Sequence, residues 1–116
     1  MRIGQFVQKY TLHDSLVKQI QYDPDHKKLS FLVDLCWWAQ DEYDESRSLP
    51  EIVWIVFHNV PEYSGIQGMI DNYSVLRLDA DGKRIALMIL DDFRDTPYVL
   101  PFQADSVTME ACPAAQ

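Results

Sequence analysis

The side chains that could do chemistry in this chain are few: His13-Asp14, His26 and His58, the carboxylates Asp91, Asp92 and Asp95, and the thiols of Cys36 and Cys112. His13-Asp14 has the form of a phosphohydrolase metal pair, but that chemistry needs further His and Asp ligands, and three histidines without shared spacing make no zinc site. The pair reads as local structure instead. His13, Asp14 and Ser15 lead into the first strand, where a short Asp or Ser side chain bonds to neighbouring amides and fixes the chain's path. His58 follows an apolar run and caps its end. Asp91-Asp92 with Asp95 resembles a paired carboxylate cluster, yet it ends a strand and includes Arg94, so it reads as a solvated turn rather than an acid-base pair. Cys36 lies between Leu35 and Trp37 in a strand pattern, outside any nucleophile elbow. The glycines form no phosphate loop. The sequence therefore predicts no catalytic residue, no metal site and no cofactor.

Charge points elsewhere. From Leu29 to Leu76 eight carboxylates face Arg47 alone, a net −7 within a chain of −8. The densest part, Asp41-Glu42-Tyr43-Asp44-Glu45, follows Trp37-Trp38 directly. Neighbouring residues of a strand point to opposite faces, so Trp37 shares the core face and Trp38 points outward unless the sheet folds over it. An acidic surface carrying aromatic anchors suits a basic protein partner. The candidate partner-binding residues are Trp38, Asp41, Glu42, Tyr43, Asp44, Glu45, Glu51, Glu62 and Tyr63.

At 116 residues and 47% hydrophobic, the chain has the material for one core without staples. One globular domain over residues 1–111 is expected, with 112–116 as a flexible tail. The acidic balance argues against nucleic acid and anionic membranes, which need gathered Lys and Arg. Two cysteines without CxxC spacing and no apolar h-region after Met1 predict a cytoplasmic protein with both thiols reduced. The longest apolar run, Ile52 to Phe57, is far too short to span a membrane. The oligomeric state is left open.

Period-two alternation dominates the chain, clearest at Leu29, Phe31, Val33, Leu35 and Trp37 against Ser30 and Asp34. Leu16, Ile20 and Tyr22 alternate with Gln19 and Gln21 before it, across the turn formers Asp23 to Lys27, so a hairpin is predicted. Ile52 to Phe57 reads as a central strand buried on both faces. Val75 to Leu78 and Ile85 to Leu90 flank Asp81-Gly82, whose residues supply positive φ for a tight hairpin. Tyr98 to Phe102, with Pro97 and Pro101, is placed at an edge, and Val107 to Ala111 completes the set. Pro61 to Asn72 is the stretch that could hold a helical turn or two, while Gln5 to Tyr10 is ambiguous between strand and helix. The expected fold is mainly β, possibly α+β: a single antiparallel sheet of about seven short strands, curled into a half-barrel or sandwich, with little helix.

The pattern LHDSLVKQIQYD…KLSFLVDLCWWAQ, then EIVWIVFHNVPEY and the late ILDDF, resembles small bacterial β-rich domains that begin hydrophobic-His-Asp-small and carry F-x-x-V in mid-chain. Phe57 and Val60 match the latter, and the likeness covers roughly residues 12 to 92. Several such families look like immunity proteins encoded beside polymorphic or contact-dependent toxins. The resemblance implies a cytosolic, non-enzymatic inhibitor that binds a cognate toxin domain, such as a nuclease with a basic groove, through its acidic surface. It carries over no individual binding residue. Two other readings remain open: a small enzyme or ligand-binding barrel with a pocket lined by Trp54, Tyr73 and Tyr98, and a scaffold subunit without chemistry.

Overall fold

A computed structural model describes residues 2–9, 12, 15–34 and 52–111. It contains helix α1 (Ile3–Lys9) and strands β1 (Leu16–Asp23), β2 (Lys28–Asp34), β3 (Ile52–His58), β4 (Gly68–Asp81), β5 (Arg84–Asp91), β6 (Thr96–Gln103) and β7 (Ser106–Ala111). The strands form one antiparallel sheet in the order β6-β5-β4-β1-β2-β3-β7, not closed into a barrel. The mainly β expectation holds.

Alternation builds the layers. Leu29, Phe31 and Val33 of β2 and Val53, Ile55 and Phe57 of β3 point into one core, as their period of two requires. β3 is central, between β2 and β7, and Val56 on its other face is also buried. β6 stands at the opposite end of the strand order. Nevertheless its Phe102 ring lies 4.9 Å from Phe57 and 6.1 Å from Phe31, so the sheet folds over and sandwiches the core between β4-β5-β6 and β1-β2-β3-β7.

Two features make that fold. The first is a corner in β4, whose early residues pair with β1 and later ones with β5. Between Val17↔Tyr73 and Gln19↔Met69, one residue of β1 faces three of β4, and Asn72 takes φ +63°; such a bulge bends and twists its strand. The second is the link between the two edge strands. Only Ala104 and Asp105 separate β6 from β7, a span of at most about 11 Å over three Cα steps, so the edges meet at one corner of the molecule. The Ala104 amide donates to the Lys83 carbonyl and the Asp105 amide to the His58 carbonyl, both at 3.0 Å, and Lys83 Nζ lies 3.0 Å from Asp105 Oδ1.

Three local expectations are revised. The ambiguous N-terminus is helical: Ile3 and Phe6 are buried, and the Phe6 ring meets Phe57 edge-on at 6.4 Å. Pro61 to Asn72 holds no helix. Residues 61–67 form a loop and 68–72 already belong to β4; the loop folds around Tyr63, and a Cβ on Gly65 would stand 2.5 Å from the Tyr63 hydroxyl. At the β4-β5 turn the two loop residues are Gly82 and Lys83, with Asp81 paired to Arg84. Positive φ falls on Gly82 alone (61°), at the first central position, as in a type II′ hairpin.

Candidate interaction face

The short motifs that suggested a family turn out to hold the core. Phe57 and Val60 are both buried; between them Asn59 takes φ +60° and turns the chain. The Val60 amide then donates to the Lys27 carbonyl at 2.8 Å, and its carbonyl accepts the Tyr22 hydroxyl at 2.7 Å. Leu12 and Ser15 are buried, the Ser15 amide donating to the Leu12 carbonyl and the Val75 amide to Ser15, so this stretch ties the start of β1 to β4. His13 and Asp14 lie outside the described residues. In ILDDF, Ile89 is core, while Asp91 Oδ1 accepts the amides of Phe93 (3.0 Å) and Arg94 (3.2 Å) and Asp92 accepts the Ser74 hydroxyl. These carboxylates organise a turn.

The β1-β2 turn repeats that design. Asp23 Oδ1 accepts the amides of Asp25 and His26, and its Oδ2 lies 2.7 Å from His26 Nδ1. That bond holds the Asp23 carboxyl below the usual carboxylate range. Lys27 and Asp95 close the two turns with positive φ. His58 caps the end of β3, its Nε2 2.9 Å from Thr108 Oγ1 on β7. Among the described residues no three His, Cys, Asp or Glu side chains gather as metal ligands, and no helix is long and apolar enough to cross a membrane.

Of the nine predicted partner-binding residues, Trp38, Asp41, Glu42, Tyr43, Asp44, Glu45 and Glu51 lie outside the described residues, as do Trp37, Cys36 and Cys112. Glu62 is exposed. Tyr63 is not at the surface: it is 9% exposed, its ring 6.5 Å from Phe102 and 6.0 Å from Tyr22, and its hydroxyl donates to the Ile66 carbonyl at 2.7 Å. Burial pushes this phenol up to about 12. An aromatic beside an acid in sequence looked like an anchor; the core claimed it.

Residues 35–51 lie outside the described residues, and the described pair that flanks them is Asp34, which ends β2, directly opposite Ile52, which starts β3. Around it the outer sheet face carries an apolar group. Leu16 and Ile52 flank Asp34 and are 40% and 38% exposed. One row further, Leu32 and Trp54 are paired, with Glu110 beside Trp54 on β7. Leu16 was expected on the core face with Ile20; instead the bulge at Val17/Gln19 shifts the parity, so Val17 and Ile20 point in and Leu16 points out. Trp54 alternates with the core residues Val53 and Ile55, which puts it on the outer face. Tyr73 and Tyr98 pack together at 6.1 Å on strands of the other layer, so these three aromatics do not line one pocket.

In comparison with known proteins, no family model, no curated protein and no solved structure matches the chain.

Proposed function

We propose that this chain is an immunity protein that binds and neutralises a cognate bacterial toxin domain, with its acidic window as the contact surface. The observation that supports the reading is the charge window itself, a net −7 between Leu29 and Leu76. Its described residue Asp34 pairs with Ile52 beside the outward Leu16, Leu32 and Trp54, which offer apolar contact area next to that part of the window. A basic groove built to hold phosphates, as in a nuclease, is the complementary surface. Charge attraction speeds encounter; the apolar group, once desolvated, slows release. Such an inhibitor works by occupancy and turns over no substrate.

The reading expects an exported protein with a variable C-terminal domain encoded next to this chain, and the test is association with that domain. Changing Asp41, Glu42, Asp44 and Glu45 together to Asn or Gln should slow association and flatten its salt dependence, since steering is screened over about 8 Å at physiological ionic strength. Trp38→Ala or Trp54→Ala should act on dissociation, each by about 2 kcal/mol or more where the ring is an anchor. An association rate indifferent to salt and to the quadruple substitution would refute the acidic contact.

A further inference from the structure

The second outer face is the more unusual one. In an antiparallel layer with one face on the core, the other face is normally polar. Across β5-β6 it is polar only at one end, where Arg84 pairs with Gln103; the other outward positions pair as Ala86↔Pro101, Met88↔Val99 and Leu90↔Pro97, six contiguous apolar residues. Val99 is 54% exposed, both prolines are exposed, and the turn closing the hairpin carries Phe93, 82% exposed. Contiguous apolar surface of this kind marks an interaction site.

We propose that this face binds a second copy of the same chain, face to face about a two-fold axis. Charge favours that occupant. The acidic window holds −7 of the net −8, whereas residues 77–105, which contain this hairpin, carry six acids against four bases. Two copies approaching here therefore bring together less negative charge than they would at the acidic window. The charged rim on β4 is already paired, Arg77 Nε lying 2.9 Å from Asp79 Oδ2, and a rim with both signs on each copy is self-complementary under two-fold symmetry. A strongly basic partner finds no matching field here. Edge-to-edge pairing is disfavoured because Pro97 and Pro101 share one parity of β6, an edge strand, and remove donors from its free side. Face packing remains.

The area sets the strength. The six residues and Phe93 offer on the order of 400 Å² per copy, about half the 800 Å² that a standard interface buries on each partner. The dimer is therefore weak and concentration-dependent, to be looked for from micromolar to millimolar protein.

Sedimentation velocity across that range should show reversible monomer–dimer exchange. Val99→Lys, at the centre of the patch and exposed, should weaken association by about tenfold or more, while an unchanged circular dichroism spectrum shows the fold intact; Met88→Lys is the second variant. The quadruple acidic substitution should leave dimerisation in place, which separates this inference from the toxin-binding reading. A strictly monomeric chain at the highest concentration, or a dimer unmoved by both Lys variants, would overturn it. A monomer whose Val99→Lys variant loses toxin binding would overturn it as well and give the face to the toxin.

Discussion

Asp91 and Asp23 form a built-in comparison. Each ends a strand, accepts two amides of the four-residue turn that follows, and precedes a turn closed by a residue with positive φ. They differ in burial: Asp91 is 6% exposed, whereas the Asp23 side chain is 49% exposed. Replacing Asp91 with Ala removes the acceptor of two part-buried amides, and a buried donor left unmade costs about 1–3 kcal/mol. Water reaches part of the turn, so the loss for Asp91→Ala should be about 2–3 kcal/mol. At Asp23 water can replace the carboxylate, and Asp23→Ala should lose clearly less than Asp91→Ala. Urea denaturation reads both, as shifts of midpoint at constant slope. Asp91→Asn keeps the Oδ1 acceptor and should recover most of the loss. Equal losses at the two sites would refute the burial argument. An Asn variant as damaged as Ala would show that charge, not turn geometry, holds the β5-β6 hairpin. Stability untouched at Asp91 with partner binding lost would make ILDDF a functional motif.

Two further outcomes test the core. Tyr63, raised to about 12 by burial, keeps its proton in the folded chain where unfolded tyrosines ionise near 10. The folded state then binds more protons than the unfolded one, so stability present at neutral pH falls between about pH 10 and 12, by about 1–2 kcal/mol after allowing for solvent screening. Tyr63→Phe should flatten that decline in denaturation curves above pH 10, and an unchanged slope would place the ionising group elsewhere. Phe57 meets Phe6, Phe31 and Phe102; Phe57→Ala should lose about 3–5 kcal/mol, and a loss no larger than that of the outward Trp54→Ala would mean that β3 faces the other way.

What could be read from the sequence was what short range decides. Period two gave β2 and β3 their core faces, Asp23 to Lys27 gave the first turn, and Pro97 with Pro101 placed β6 at an edge. The errors fall where one residue changes the count. The bulge at Lys18 of β1 reversed Leu16, and the II′ hairpin sits one residue later than Asp81-Gly82 suggested. Early β4 escaped because Gly68, Asp71 and Asn72 look like loop residues, yet Asn72 supplies the αL conformation that a corner needs. No local pattern announces that β6 and β7, two residues apart in the chain, lie at opposite ends of the strand order.

That separation also explains why the candidate faces were hard to see. An apolar residue in an alternating strand is assigned to the core, and once every strand has its core face, the remaining apolar positions count as noise. Leu16, Leu32 and Trp54 on one layer, and Met88, Leu90 and Val99 on the other, are assembled into patches only by the cross-strand register. Folding the sheet over Phe57 and Phe102 turns the outer faces of the two layers away from each other. The proposed dimer through β5-β6 would therefore leave Leu16, Leu32 and Trp54 of each copy on the face turned away from the other copy.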